Sequence, residues 1–307
     1  MRAIALRQSP ALPAWLKPLR FDDRLWQLVS AALTLIGIAA IAWQLAHFGY
    51  DRLIALLPSS PPYYLALGAL YLTLPVSEWL IFHRLWSLPL AAITPFLRKA
   101  VINDIVVNYG GELYLYTWAR DRTGAAMPFG AIKDVSILSA IAAHVLTLAL
   151  MVAAIPLVGD IVPNWALLPA IGSAVILVLV PLIATIFARR VFSLSRRQLW
   201  FVAGVHCVRL VVSLLLGVLL CSLAMPEIPL VIWMLLQTLR LLVSRLPLIP
   251  NKELLFASAL GFLAGHESAV AALMSMTAMA LLALHIAVFV VLLAIELVAA
   301  ILRVRHD

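Results

Sequence analysis

The chain has 307 residues, of which 64% are hydrophobic and 12% charged, with a formal net charge of +8 and a mean hydropathy of +1.07. A soluble globular domain is about 45–50% apolar and about 25% charged, so the excess apolar surface must face lipid and no room remains for a sizeable soluble domain. The basic residues sit beside apolar segments and are not gathered in one patch. That arrangement fits membrane orientation and contact with anionic lipid, and no nucleic acid is expected as a partner.

Residues 1–25 carry Arg2, Arg7, Lys17, Arg20 and Arg24 among Pro10, Pro13 and Pro18. The stretch is too long and too interrupted for a secretory leader. The apolar segment behind it lacks a small-residue cleavage site and is long enough to span, so it reads as a retained first helix after a cytoplasmic tail. A crossing needs about 20 apolar residues. Six segments qualify: 26–48, 62–82, 131–157, 165–188, 199–225 and 269–302. Arg84, Arg98, Lys99, Arg120, Arg122 and Lys133 lie between the second and third, Arg189, Arg190, Arg196 and Arg197 after the fourth, and Arg303 and Arg305 at the end, whereas the alternate loops carry only Arg52. This alternation predicts a multi-pass protein of the bacterial inner membrane, N-in and C-in, provided 228–266 enters and leaves on the outer side. The fold expected is all-α: a polytopic transmembrane helical bundle with about six full spans plus two broken or re-entrant hairpins. Residues 26–302 form a single domain between tails at 1–25 and 303–307.

The first broken region is 94–124. Thr94-Pro95 is a favourable helix start, and Leu97, Val101, Ile102, Ile105 and Val106 recur at helical spacing opposite Arg98, Lys99, Asn103 and Asp104. Asn108, Gly110 and Gly111 then break the run and Glu112 resumes it, which predicts two amphipathic helices that lie in the cytoplasmic interface or dip into it. Tyr114, Tyr116 and Trp118 suit an interfacial belt, and their alternation also fits a strand. The second broken region is 228–266. An apolar run carrying Gln237, Arg240, Ser244 and Arg245 stops at Pro247, Pro250, Asn251, Lys252 and Glu253, and the apolar run after it is too short to span. It reads as a re-entrant hairpin or as a full span with a short return. Interrupted backbone at membrane depth is tolerated only where protein or a wet cavity satisfies it.

Polar residues at helical spacing make three stripes: Tyr64, Gly68, Tyr71, Pro75 and Glu78; His206, Arg209, Ser213 and Gly217; and Gln237, Arg240 and Ser244. In one reading Glu78, Arg209, Arg240 and Arg245 line a hydrophilic groove, since an arginine fork can hold a phosphate through two parallel hydrogen bonds. In the other, Glu78 pairs with a nearby arginine to hold helices together and Arg209 snorkels to the surface. Asn251, Lys252 and Glu253 would open a half-helix whose free N–H groups favour an anion, or Glu253 would only cap it. Asn108, Gly110, Gly111 and Glu112, with Pro247 and Pro250, are the candidate gates. There is no P-loop, no GxSxG and no HExxH, and the seven histidines have no metal-like spacing, so no catalytic residue, metal or cofactor is expected. Cys207 and Cys221 lie about 21 Å apart on one helix and cannot bridge.

Gly111-Glu112-Leu113, Ala119-Arg120-Asp121-Arg122-Thr123-Gly124 before a long apolar helix, and the late Leu246-Pro247-Leu248-Ile249-Pro250 together resemble the transmembrane region of lysylphosphatidylglycerol synthases, which also occurs as stand-alone flippase-like proteins. The chain departs from that family at Leu115, where a basic residue is usual, at Asn251-Lys252-Glu253 in place of a Gly-rich turn, and around Val135–Leu138, where an acidic-basic pair is expected. The resemblance implies a protein that moves or handles a lipid. Lipid aminoacylation is not expected from this chain. Three functions are weighed: a flippase-like translocator of an anionic or lipid-linked substrate, run downhill or by an ion with Glu78 as proton carrier; an enzyme on lipid or polyprenyl phosphates, for which only separated acids (Asp104, Glu112, Asp134 and Glu253) are found; and a membrane scaffold for envelope or glycolipid assembly. Membrane lipids are the expected partners, with a homo-oligomer or another membrane protein as further possibilities.

Overall fold

The computed structural model describes residues 58, 60–106, 110–122, 128–158, 192–245 and 269–304, with isolated helical positions between 172 and 183 and between 252 and 260. The tails at 1–25 and 305–307, the span predicted at 26–48, most of that at 165–188, and Asn108, Pro247, Pro250 and Asn251 lie outside the described residues.

Seven α-helices carry the described architecture: α1 (Pro61–Trp86), α2 (Thr94–Val101), α3 (Gly110–Arg122), α4 (Pro128–Val158), α5 (Arg196–Ala224), α6 (Leu230–Val243) and α7 (Ala269–Val304). A 3-10 turn, Leu90–Ile93, leads into α2, and a π-helical turn, Ile102–Val106, continues it. No strand occurs among the described residues, so the alternation of Tyr114, Tyr116 and Trp118 is carried on a helix. Four helices are long and apolar enough to cross a membrane: Pro61–Trp86, Pro128–Pro156, Arg196–Ala224 and Ala272–Ile295. The chain is a helical membrane protein. Its surface agrees: Leu65, Trp200, Val208, Leu215 and Ile295 are exposed, while Lys99, Glu78 and Asp134 are buried. Apolar residues face outward because lipid solvates them, and the ionic groups are held inside by one another.

The sequence chemistry accounts for the helix ends. Pro61 opens α1, where its missing N–H costs nothing, and Ser87 closes it in the left-handed region at φ 53°. Within α1, Pro75 withholds an N–H from the carbonyl of Tyr71. Helix α5 begins with a capping box: Ser195 Oγ accepts from Gln198 N, and Gln198 Oε1 accepts from Ser195 N at 3.0 Å.

Helix α1 packs most extensively on α5, and α5 on α4. Thr73 of α1 meets Ser213 of α5 at 2.9 Å, so the polar stripe of α5 reaches α1 through a threonine that lies outside the α1 stripe. Along α1 the partners on α7 advance from Thr277 (with Tyr63) to His285 (with Tyr71), so α1 and α7 run parallel. On α4, Asp134 meets the Ser193–Leu194 backbone before α5 and Ser139 meets Arg209, so α4 and α5 also run parallel. The apolar interior has two parts. Tyr63, Leu67, Trp233, Phe256, Met276 and Leu282 fill one, and Ile81, Phe82, Phe96, Leu115, Ile132 and Val202 the other. Helices α2 and α3 pack on each other and against α1, α4 and α7. They therefore pack as part of the helical bundle.

Asp134 ties α4 to the start of α5. It is fully buried, and its Oδ2 accepts from Ser193 N at 2.6 Å and Leu194 N at 2.7 Å. Gly130 allows the approach, since a Cβ there would stand 2.8 Å from Ser193 Oγ. Asp134→Ala leaves two backbone donors unpaired, each costing about 1–3 kcal/mol. It should lower the melting temperature in detergent clearly, whereas Asp134→Asn, which keeps an acceptor oxygen, should retain most of the stability.

Candidate functional site

Two ionic clusters lie inside the bundle. The first centres on Lys99 of α2, which is 4% exposed. Its ammonium makes a close ion pair and hydrogen bond with Glu78 Oε1 of α1 and a second ion pair, at 3.1 Å, with Glu112 Oε1 of α3. Three helices are thus joined at one cation. Burial alone would push the Lys99 pKa down, but the two carboxylates outweigh it and raise the value above the ordinary lysine range. The expected partner of Glu78 is an arginine; the actual partner is this lysine, which helical spacing alone places on a solvated face. Arg209 of α5 does not snorkel to the surface. It donates to Ser139 Oγ of α4 at 3.2 Å, while its Nε is buried without a hydrogen-bond partner. Arg209 lies about 20 Å along α5 from Arg196 at 1.5 Å per residue, close to mid-helix. His206, one turn earlier, is fully buried.

Gly111 makes the α2–α3 junction possible. Its N–H donates to Asn103 Oδ1 at 2.7 Å, and a Cβ would stand 2.6 Å from Lys99 Cγ and 2.8 Å from Asn103 Oδ1. Gly110 and Gly111 open α3 and do not form the break themselves. The glycine is required because the backbone of α2 passes close by, so the expected turn at Gly110-Gly111 is corrected to a helix start.

The second cluster brings α6 to the segment after it. Arg240 Nε and one terminal nitrogen each donate to Glu253 at 2.6 Å, and the other terminal nitrogen donates to Gln237 Oε1 at 2.9 Å. Gln237 rests against Gly217 of α5, where a Cβ would stand 2.7 Å from its Oε1. Glu253 therefore does more than cap a helix: it fills the fork that the sequence assigns to a phosphate. Arg245 Nε donates to the Leu241 carbonyl at 3.2 Å, and Lys252 to the Ser244 carbonyl at 2.8 Å. Both cations thus lie at the C-terminal end of α6, where the helix dipole favours them. Burial and the nearby Arg245 push the Lys252 pKa below its ordinary value. Gln237, Arg240, Glu253, Gly217, Cys221 and Thr277 line a narrow cleft with room for about one water molecule. Beside it, Asp104 of the π-helical turn meets His285 Nε2 of α7 at 2.7 Å.

The four acids that an enzyme on lipid phosphates would have to gather are kept apart. Asp104 meets His285, Glu112 meets Lys99, Asp134 meets backbone N–H groups and Glu253 meets Arg240. Among the described residues no three His, Cys, Asp or Glu side chains are grouped as metal ligands. Cys207 and Cys221 are both free thiols. Sequence reasoning misses the roles of Lys99, Asp134, His206 and the Asp104–His285 pair. The hydrogen-bond partners of Lys99 and Asp134 and the ion-pair partner of Asp104 lie far away in sequence, and the burial of His206 depends on packing, so nothing near any of them in sequence marks it. No family model, curated protein or solved structure matches this chain.

Proposed function

We propose that this chain translocates a lipid with an anionic head group across the bacterial inner membrane, with six spans in all and both termini inside. The observation that carries the reading is the Lys99–Glu78–Glu112 cluster, with Arg209 beside it, inside a bundle of spanning helices at an interrupted α2–α3 segment. Ionisable groups at membrane depth are costly, and they mark ion and substrate pathways. The parallel runs of α1 with α7 and of α4 with α5 agree with the directions that the charged loops predict. The resemblance of 111–124 to flippase-like proteins points to lipid. Arg240 is latched by Glu253 in the described state, so a head-group phosphate would take the place of that carboxylate on the same fork.

Purified protein in vesicles of phosphatidylethanolamine and phosphatidylglycerol should accelerate the exchange of fluorescent phosphatidylglycerol between leaflets over empty vesicles. Arg240→Ala should slow it by about tenfold, equivalent to about 1.4 kcal/mol, with helical content unchanged by circular dichroism. A wild-type protein that moves no labelled lipid, or an Arg240→Ala protein that moves it as fast as wild type, would overturn this assignment.

A further inference from the structure

We propose that Glu112, and not Glu78, is the carboxylate that takes up and releases a proton in this protein, with Lys99 as the switch between the two acids. The inference deepens the transport reading by naming its coupling ion, and it rests on that reading only for its purpose.

The geometry distinguishes the two acids. Glu78 holds the Lys99 ammonium in the closer contact and its side chain is 8% exposed. Glu112 stands off at 3.1 Å and is 20% exposed, so water can reach it more readily. Its second oxygen, Oε2, is buried with no hydrogen-bond partner. A carboxylate that is half engaged in this way has an oxygen open to a proton, while its neighbour already neutralises the lysine. His206 supplies a second, independent sign. It is fully buried, and neither ring nitrogen makes a hydrogen bond of regular geometry, although the Val135 backbone acts on the ring. Lys99 and Arg209 are the charges that act on it. Buried polar groups are normally satisfied, and an open carboxylate oxygen with an open imidazole in one ionic cluster is the arrangement a proton relay requires.

Lys99 is the charged partner of Glu112, and the charged groups on the helices packed about this cluster have contacts of their own. Helix α2 brings Lys99, α1 brings Glu78, and α5 brings Arg209 and His206. Helix α4 brings Lys133 and Asp134, which lie 3.4 Å apart, with Asp134 also holding the Ser193–Leu194 backbone. Asp104 of the π-helical turn is turned to His285. With His206 neutral, Glu78, Glu112, Lys99 and Arg209 sum to zero charge. Uptake of one proton from hydronium forms an O–H bond at Glu112 Oε2 and leaves a water molecule. The cluster then carries one positive charge, and the Lys99 ammonium is retained by Glu78 alone. The ion pair between α2 and α3 is lost, so α3 is held less firmly on α2, through packing, the Gly111–Asn103 hydrogen bond and the Arg98–Tyr114 contact, while α1 stays tied to α2. Release of the proton restores the pair.

The test uses the full chain in nanodiscs of phosphatidylethanolamine and phosphatidylglycerol. Infrared difference spectra between neutral and mildly acidic buffer should show the carbonyl stretch of a protonated carboxylic acid shielded from water. Glu112→Gln should abolish that band and Glu78→Gln should keep it. At one fixed neutral pH, Glu112→Gln also mimics the protonated state, and the α3 amides should exchange with deuterium about tenfold faster than in wild type, which corresponds to the loss of about 1.4 kcal/mol of local protection. No shielded band in wild type, a band that survives Glu112→Gln, or one lost in Glu78→Gln would overturn the proposal. If Glu112→Gln does not accumulate, Glu112→Asp must shift the band, and an unshifted band overturns it equally. None of these readouts needs a transported substrate. A protein with the band that moves no lipid keeps the proton site and loses the transport reading; lipid movement without the band does the reverse.

Discussion

Lys99→Met is expected to be among the most destabilising single substitutions in this protein. It removes the cation that is ion-paired with both Glu78 and Glu112, stranding two carboxylates in the interior. Breaking a buried pair by deleting one partner typically costs about 3–5 kcal/mol, because the remaining charge is neither hydrated nor paired. The protein should accumulate poorly and melt well below wild type in the same detergent. The double variant Lys99→Met with Glu112→Gln removes the cation and one acid at nearly constant volume, leaves Glu78 to balance Arg209, and should recover most of the loss. If Lys99→Met alone melted like wild type, the three-helix junction would not be ionic in the way its geometry shows. The pH dependence has a definite sign. The folded-state pKa of Lys99 is raised, so its stabilising charge is fully present below the ordinary lysine range and is lost only as pH rises through the still higher folded value. Stability from the lysine side of this pair should not decline between neutral pH and that range.

The second large effect is expected at Gly111. Gly111→Val would place Cβ 2.6 Å from Lys99 Cγ and 2.8 Å from Asn103 Oδ1, and it would also press on the Lys99 carbonyl. A side chain can turn away, but the carbonyl belongs to the backbone of α2, which would have to move as a unit. Overpacking of this kind costs about 1–3 kcal/mol. It would also carry Glu112, the next residue, away from Lys99. The expected result is a lower melting temperature together with loss of the shielded carboxylic acid band. Gly204→Ala is the matched control. It lies inside α5, where an added Cβ would meet nothing within 4 Å, and it should be neutral or stabilise by up to about 1 kcal/mol through helix propensity. Equal damage from both substitutions would show that the cost at Gly111 is not one of contact.

Much of the fold is legible in the chain because lipid imposes a strong and local rule. A spanning helix must be apolar over its own length, and α1, α4, α5 and α7 each announce themselves by that alone. The polar stripes on α5 and α6 are also legible, since helical spacing fixes which residues share a face, and Gly217 with Gln237 shows that those two faces meet; the α5 stripe reaches α1 at Thr73, outside the stripe read there. The partner of each charge is not legible. Spacing presents Arg240 as open to a phosphate, but its fork is filled by Glu253 from beyond the break. Spacing likewise presents Lys99 as solvated, because an eight-residue amphipathic helix gives no sign of what packs on its polar side, and its closest partner lies 21 residues away on another helix.

The class of this protein, its long apolar helices and the places where its apolar runs are interrupted are written in the order of its residues. They follow from transfer free energies and backbone chemistry summed over near neighbours in the chain. Which charges neutralise one another is written nowhere in that order and emerges only from the packed bundle. An ion pair depends on distance in space, and here that distance is set by helix packing and by the close approach that Gly111 and Gly217 allow.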